Sequence, residues 1–409
     1  MRTLKTLFNR QTFPFVMYYG VIYMAVATFS PYINLYYNGL GYTLAQIGVF
    51  TSIGPLVSIV AQPLWGLLSD KTNKKRVLLA VLTGSLIVMS VYALKTAFLY
   101  IVLMALLYNA CFSSAGPLGD ALTLQFIEGR NVKFANIRLV GTISYAIMAA
   151  VAGRMLAGDI GRLFMINAVL LLGALVTALW MPGTAGNTET RAEPGKAGNA
   201  EPFEPAGEKR AGFLTLLKNK TLLCVYLSAF IFGLTMTFYH SFVGLRIAEL
   251  GAGTEQVGIA MLIAAASEIP VLIFIEKVFG KMKPVTLLML TGLLLGIRLF
   301  LLFFSTTVIT VYCVQLLHGF TFMVPYYFSV IIINEHAPAH LKSTAQSVYA
   351  MFRGGLAALT GTFGGGFLAQ AIGIRNVYLF LAALVTAACC VLPAVLLAVY
   401  KLRIRKNKN

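Results

Sequence analysis

Charged residues are scarce in this sequence. They make up only 11% of its 409 residues, whereas an ordinary soluble protein has roughly 25%. Hydrophobic residues make up 58%, so a water-soluble fold of this size would lack the polar surface that it needs. The shortage of charge excludes an ordinary soluble domain and indicates that lipid surrounds much of the chain.

Cysteine is also sparse, and motifs for bond-making chemistry are missing. The five cysteines lie in apolar segments without the spacing of a disulfide framework or a metal site: Cys111, Cys224, Cys313, Cys389 and Cys390. We find no glycine-rich phosphate loop, metal-ligand cluster or nucleophile triad, which disfavours an ATP-driven pump or a membrane enzyme. We therefore expect no enzymatic activity, no cofactor and no metal.

Long apolar runs are abundant. Runs of about 20 residues recur along the whole chain, and each is long enough to cross a hydrocarbon core of about 30 Å. Because backbone amides must be paired internally in lipid, such runs favour helices over a barrel. We predict an all-α polytopic membrane protein with spans at 13–37, 45–68, 77–94, 98–124, 134–157, 161–182, 221–246, 256–276, 285–304, 306–333, 343–370 and 376–400.

The basic residues lie on one side of the predicted spans. Of the 32 Lys and Arg residues, we assign 25 to one side, 5 to the other, and Arg298 and Arg353 to span interiors. This asymmetry places both termini in the cytoplasm. It also argues against nucleic acid as the reason for the formal charge of +18. The first apolar run is too long for a cleaved secretion signal, so we expect an integral protein of a bacterial cytoplasmic membrane.

The chain divides into two similar halves. Residues 183–212 are rich in Gly, Pro, Glu, Ala and Lys, which is the composition of a linker. We predict an N-terminal six-helix bundle over 1–182, a cytoplasmic linker over 183–212 and a C-terminal six-helix bundle over 213–409. The triplet at 46–48, Gln-Ile-Gly, matches the triplet at 256–258, Gln-Val-Gly, and other short matches follow at a similar offset. Two parallel six-span repeats around a midplane site are typical of secondary transporters.

The loop between spans 2 and 3 resembles the signature loop of the major facilitator superfamily. Its pattern is Gly, three residues, Asp, a base, a turn residue and two or three further bases. We interpret it as a gating loop made of Gly66, Asp70, Lys71, Lys74, Lys75 and Arg76. Gly66 is expected to let helices approach closely, and Asp70 to meet the positive end of a neighbouring helix. Asn73 stands at the turn, where we expect a left-handed conformation.

A second set of residues is similar to the phenylpropionate permease and lactose permease branch of that superfamily. The set covers nearly the whole chain and consists of Asp120 in span 4, Arg138 in span 5, Glu268 in span 8, Arg298 in span 9 and His318 in span 10. The resemblance implies the fold of two six-helix repeats. It further implies that Asp120 and Arg138 bind substrate, and that Glu268, Arg298 and His318 couple binding to proton movement.

The sequence departs from lactose permease at several positions. Thr321 replaces a carboxylate one turn after His318, and Gln315 replaces a base one turn before it. Span 7 offers His240, with Thr235 and Thr237, where acidic residues would be expected. These differences argue against disaccharide transport and favour the phenylpropionate type.

Charged side chains in the spans converge at one depth. At 1.5 Å per residue, Glu268 and His318 lie roughly 18 Å into spans of about 30 Å, and Arg353 roughly 15 Å. Arg353 has no obvious acidic partner in the sequence, so the interior has a surplus of positive charge that suits an anion. Tyr19 and Tyr23 share a helix face, and we predict that they line the substrate site with Arg353.

We therefore predict a proton-coupled symporter of a small organic solute, preferably an aromatic carboxylate, working by alternating access. Its partners would be the solute, protons and membrane lipids, and we expect a monomer. A sugar or nucleoside symporter remains an alternative. A drug/proton antiporter is disfavoured because span 5 lacks the proline of the antiporter motif, and a non-transporting receptor would bind solute without flux.

Overall fold

The computed structural model describes residues 9–130, 132–182, 215–280, 282 and 284–389. The regular elements in this part of the chain are helices. Eleven of them are long and apolar enough to cross a membrane, and a shorter apolar helix runs from Ile374 to Cys389. The prediction of twelve spans is confirmed to within a few residues at the described ends. The predicted linker at 183–212 and residues 390–400 of span 12 lie outside the described residues.

The twelve helices are numbered in chain order as spans 1 to 12. The first six are Phe13–Gly39, Leu44–Lys71, Lys74–Leu94, Phe98–Ile127, Phe134–Met155 and Arg162–Trp180. The second six are Lys220–Glu249, Thr254–Phe279, Pro284–Phe304, Val308–His336, Thr344–Ile372 and Ile374–Cys389. Span 1 packs against spans 5 and 6, and span 8 packs against spans 5 and 10.

The outer faces of the spans are apolar. On span 2, Ile59, Val60 and Leu64 are each about three-fifths exposed (59%, 62% and 61%). Exposing such side chains to water would forfeit roughly 1.5–3 kcal/mol each, so this arrangement is stable in lipid. The fold is that of a polytopic membrane protein, as predicted.

Several spans are interrupted along their length, among them span 1, which breaks between Phe29 and Ile33. Span 4 breaks at Ser113 and Ser114, just before Gly116 and Pro117, as the proline predicts. Span 10 breaks at Leu316 and Leu317, so that His318 begins its second segment. Span 11 contains two π-helical segments, Met351–Leu356 and Thr360–Gly364, and such insertions are frequent at functional sites.

Glycines join the two halves of the chain along two seams at one end of the bundle. Between spans 2 and 11, a Cβ added to Gly48 would lie 2.9 Å from the Cα of Gly366. Between spans 5 and 8, a Cβ on Gly258 would lie 2.5 Å from the carbonyl oxygen of Ala149. Gly48 and Gly258 are the third residues of the matching triplets at 46–48 and 256–258, so the sequence repeat corresponds to a structural one.

Hydrogen bonds between the halves lie at the same end, which we call the seam end. The Leu44 amide donates to the Gln370 side chain at 3.0 Å, and the Thr254 hydroxyl donates to the Gly153 carbonyl at 2.8 Å. At the opposite end, called the basic end, the Gly66–Arg76 loop connects spans 2 and 3. A Cβ on Gly66 would meet no atom within 4 Å. The expected close helix contact at Gly66 is therefore wrong for this conformation, because the two halves are apart at the basic end.

The loop residues have specific local roles. The expectation of a left-handed Asn73 is wrong, since its φ is −144°. Its side chain instead accepts a hydrogen bond from the Arg76 amide at 3.1 Å and caps the start of span 3, a position that Asn favours. Lys75 donates to the carbonyl oxygens of Leu179 (2.8 Å) and Met181 (2.5 Å) at the end of span 6. Lys75 therefore stabilises a helix C-terminus in this conformation.

Candidate functional site

A cavity of 370 Å³ lies between the two halves of the bundle. Residues from spans 1, 5, 7, 8 and 10 line it. The polar or titratable ones are Tyr23, Arg138, Thr142, Tyr145, Tyr239, His240, Glu268 and His318. We call this space the central cavity. Its volume is within the range of about 300–1,000 Å³ that small-molecule sites occupy.

Glu268 and His318 form a pair in the wall of the central cavity. The Oε1 atom of Glu268 lies 3.3 Å from Nε2 of His318, and the two side chains are 15% and 3% exposed. His318 stacks on Phe322, with ring centroids 5.4 Å apart. The Nδ1 atom of His318 has no hydrogen-bond partner among the described residues. The carboxylate and the imidazole thus share a site that is able to hold a proton inside the membrane, where an uncompensated charge is costly.

Arg298 is fully buried and is held by neutral groups. Its guanidinium donates to the Gln315 side-chain oxygen at 3.0 Å and to the Thr321 hydroxyl at 3.1 Å. It also lies over the ring of Tyr239, at 4.2 Å from the centroid, and Tyr239 donates to the same Gln315 oxygen at 2.5 Å. A desolvated cation over an aromatic face gains about 2 kcal/mol.

Arg298 and Glu268, which the resemblance assigns to proton coupling together with His318, are not paired directly in this conformation. Within the described part of the chain these two residues form no ion pair, because Gln315, Thr321 and Tyr239 surround the guanidinium. Glu268 faces His318 instead. Gln315 and Thr321, noted in the sequence only as departures from lactose permease, are therefore the residues that hold this buried cation.

Asp120 and Arg138, which the resemblance assigns to substrate binding, lie close together. Their side chains approach to 3.8 Å and are 34% and 54% exposed. The Tyr19 hydroxyl donates a hydrogen bond to Asp120. Tyr19 itself is 2% exposed and is not among the residues that line the central cavity, whereas Tyr23 and Arg138 are. Tyr19 therefore orients Asp120, and Tyr23 is the tyrosine of this face that reaches the cavity.

Arg353 lies beside the central cavity rather than in its wall. Its guanidinium sits over Tyr326 at 4.7 Å and over Phe322 at 5.4 Å. These rings, and not Tyr19 and Tyr23, are its aromatic neighbours. Phe322 also lines the central cavity and therefore separates Arg353 from it.

Sequence reasoning missed the part played by Tyr239 and gave no specific role to His240. Tyr239 contacts Arg298 and Gln315, and the ring of His240 lies 5.4 Å from that of His318. The spacing of Gln315, His318 and Thr321, three residues apart on one span, was the available signal for a shared polar face. Nothing in the sequence alone indicated that span 7 would contribute its neighbouring aromatic residues to that face.

Comparison with known proteins gives a consistent family assignment. The sequence model of the MFS_1 like family matches residues 15–380 of this chain. The chain is 27% identical over 375 residues to the uncharacterized transporter YwbF of Bacillus subtilis, covering 89% of this chain and 86% of that protein. It is 28% identical over 368 residues to the maltose permease of Geobacillus stearothermophilus, covering 90% of each. It is 24% identical to the putative nucleoside transporter YegT of Escherichia coli over 355 residues, covering 82% of this chain and 79% of that protein.

Solved structures share the fold at low identity. The nucleoside transporter NupG aligns with a TM-score of 0.80 and 15% identity, covering 94% of this chain and 98% of that one. A bacterial homolog of the human lysosomal transporter Spinster, in an inward-facing and unoccupied conformation, aligns with a TM-score of 0.61 and 13% identity, covering 96% of both chains. These likenesses establish a fold of twelve helices in two six-helix repeats.

Proposed function

The chain belongs to the MFS_1 like family of the major facilitator superfamily, and from that premise we propose a proton-coupled symporter of a small neutral solute with hydroxylated rings. A nucleoside or a glycoside has this chemistry. The coarser statement, that the protein is a membrane transporter of this superfamily, follows from the family itself. The proton, the solute and the individual site residues are the proposal.

The observation that carries the proton part is the Glu268–His318 pair at 3.3 Å in the wall of the central cavity. A carboxylate here is reachable by solute and is held away from bulk water. Its ionised form requires compensation from His318 or from a ligand. In the proposed cycle Glu268 takes up a proton when the solute binds and releases it on the other side. Arg298 positions His318 through the span 10 residues that both contact.

The positions of the arginines support a neutral solute over the expected carboxylate. Arg298 donates to the neutral side chains of Gln315 and Thr321 and has one buried guanidinium nitrogen, Nε, without a partner among the described residues, and Arg353 is stacked behind Phe322. Arg138, which does line the central cavity, faces Asp120 at 3.8 Å. The names of the maltose permease and of the putative nucleoside transporter point to the same class of solute.

A small carboxylate is the second candidate, and one observation favours it. The Arg138 side chain is 54% exposed at the cavity wall, and a planar guanidinium binds carboxylates in a bidentate manner. If Asp120 kept its hydrogen bond from Tyr19 and moved away from Arg138, Arg138 would be available to an anion. With a carboxylate solute, Arg138 binds the solute. With a neutral solute, Arg138 stays paired with Asp120.

The conformation supports alternating access. The halves meet along the seam end and are separate at the basic end. The positive-inside rule places the basic end and both termini in the cytoplasm, so we infer that this is an inward-open state. Rocking of the bundles 1–182 and 213–409 about the central cavity, joined by the linker at 183–212, would expose the site to the other side. In that state the gating loop would approach the second half.

The test uses the full-length protein in liposomes that contain a pH-sensitive dye. Uridine, maltose and phenylpropionate are added separately outside, and proton entry is recorded against empty liposomes. We expect uridine or maltose to drive proton entry and phenylpropionate not to do so. Proton entry with phenylpropionate, and with neither uridine nor maltose, would select the carboxylate candidate. Flux of a neutral solute without protons would contradict symport, and binding without any flux would contradict transport.

A further inference from the structure

A second and larger cavity, of 480 Å³, lies towards the seam end of the bundle. Spans 1, 2 and 4 form most of its wall, and spans 7 and 11 contribute His240, Ser241 and Gly354. Val26 and His240 line both this cavity and the central one. The two spaces are therefore neighbours across His240 and Val26. We call the second one the amide cavity, after Asn34 and Asn109 in its wall.

One wall of the amide cavity is aromatic. Tyr108 stacks on Phe112, with ring centroids 5.0 Å apart and planes 12° apart, and Phe29 lies 5.1 Å from Tyr108. These three side chains come from spans 1 and 4 and line the cavity together. Flat apolar faces of this kind pack against the face of a ring in a solute.

Two side-chain amides supply hydrogen-bonding groups on this surface. Asn34 is 4% exposed, and its nitrogen donates to the Ser241 carbonyl at 2.6 Å. Its Oδ1 atom is buried and has no hydrogen-bond partner among the described residues. The nitrogen of Asn109 is likewise engaged, at 2.8 Å from the Ala105 carbonyl. A Cβ on Gly54 would lie 3.0 Å from Asn109 Oδ1, so this glycine leaves space for the oxygen.

An unpaired buried acceptor costs about 1–3 kcal/mol, and a donor from a ligand removes that cost. The oxygens of Asn34 and Asn109 accept from N–H or O–H groups. Of the described residues that line the amide cavity, none is Asp, Glu, Lys or Arg. The wall thus combines aromatic faces with neutral acceptors and suits an uncharged ring that carries N–H or O–H donors.

We propose that the amide cavity binds one neutral ring of the solute, a sugar ring or a nucleobase, while the remainder of the same solute occupies the central cavity. This inference rests on the proposed function and adds to it a preference for solutes with two rings. The solute then reaches Glu268 with one ring and the amides with the other. Binding of the second ring in the amide cavity then contributes to affinity for the solute and does not change the number of protons that accompany it.

The experiment measures equilibrium binding of radiolabelled uridine and maltose to the purified full-length protein, together with the ratio of protons to solute in liposomes. The variants are Asn34→Leu and Asn109→Leu. Asn109→Leu leaves the bond between Asn34 and Ser241 in place, so it remains informative if the other variant does not fold. The matched control is Leu107→Ala, next to these residues on the lipid-facing side of span 4 and 43% exposed.

We expect the amide variants to bind the preferred two-ring solute at least tenfold more weakly, with the proton-to-solute ratio unchanged and the control equal to wild type. Wild-type affinity in Asn109→Leu would overturn the inference even if symport is observed. Weaker binding in that variant without proton flux in the wild type would support the cavity and overturn the proposed symport. Failure of the wild type to bind either solute would overturn both.

Discussion

Glu268 is the residue on which proton coupling depends in the proposed cycle. Its carboxylate faces His318 in the central cavity, whereas Arg298 is bound by Gln315 and Thr321. The buried cation and the proton site are thus connected through span 10 rather than by a direct ion pair. Substituting Glu268 therefore alters proton binding without leaving Arg298 unpartnered.

Glu268→Gln is expected to abolish uphill accumulation while retaining exchange and downhill flux. Glutamine keeps the size and a hydrogen bond to His318 but cannot carry the proton. The measurement compares accumulation and counterflow in liposomes with an imposed pH gradient. Glu255→Gln is the matched control, because Glu255 is a half-exposed carboxylate paired with Arg154 at 2.8 Å at the seam end. Undiminished accumulation in Glu268→Gln would remove this residue as the proton carrier.

Arg353→Lys tests the sequence prediction that Arg353 itself binds a carboxylate solute. The guanidinium lies over Tyr326 and Phe322, and lysine does not reproduce its planar stacking or bidentate binding. For a neutral ring solute we expect the dissociation constant to change less than threefold. A carboxylate bound by Arg353 would bind to the variant more than tenfold more weakly, which is a loss of at least about 1.4 kcal/mol of binding free energy. Equilibrium binding of uridine, maltose and phenylpropionate to the wild type and the variant measures the difference.

The glycine seams are the elements on which the closed seam end depends. Small residues allow helix backbones in membranes to approach closely, and Gly48 meets Gly366 in this way. Other glycines of span 11 divide into two groups. Gly361 and Gly365 pack tightly on span 7, whereas Gly354 and Gly355 face open space. Close helix packing thus accounts for Gly361 and Gly365, in the part of span 11 nearer the seam end, and not for Gly354 and Gly355.

Gly48→Val is expected to separate spans 2 and 11 and to shift the protein away from the conformation described here. Spin labels at Leu40 and Ile372, both exposed near the seam end, report the distance between the halves. We expect a longer mean distance in the Gly48→Val background. Val60→Ala is the control on the same span, since the Val60 side chain is 62% exposed on the outer face. Equal distances in both backgrounds would contradict a sealing role for Gly48.

The gating loop leads to a prediction at the other end of the molecule. Asp70 is exposed, and the first turn of span 11 begins after Leu341 without a side-chain cap. When the basic end closes, Asp70 is expected to approach Ser343 and Thr344 and to bind these amides, an effect of about 0.3–1 kcal/mol. Asp70→Asn should then lower turnover more than affinity, whereas Lys71→Gln, in the same exposed turn, should not.

Crosslinking checks this geometry directly. Cysteines placed at positions 70 and 343 are expected to form a disulfide when the basic end is closed and to remain separate in the conformation described here. A pair that never crosslinks, with and without solute and a pH gradient, would contradict the proposed approach of the loop to span 11.

On the scale of the whole molecule, local pattern was enough to predict the fold. Each span follows from a continuous apolar run, and the break in span 4 follows from Pro117. The meeting of Glu268 with His318 was also predictable, because equal depth in neighbouring spans brings residues together. The partners of Arg298 were not, since Tyr239, Gln315 and Thr321 come from two spans whose rotation is set by packing. Nothing in the sequence indicated the amide cavity either, because Asn34 and Asn109 are ordinary residues until the fold places both in the wall of one cavity.

The glycine seams also determine which properties of the surroundings influence the protein. Contacts between Gly48 and Gly366, or between Gly258 and the Ala149 carbonyl, involve uncharged main-chain atoms that dissolved ions do not screen. Salt weakens mainly exposed charge pairs, such as Arg154 with Glu255. The seam end thus combines an ion pair between the halves that dissolved ions weaken with glycine contacts that they do not affect. A rise in salinity is therefore expected to loosen the Arg154–Glu255 pair and to leave the glycine contacts in place.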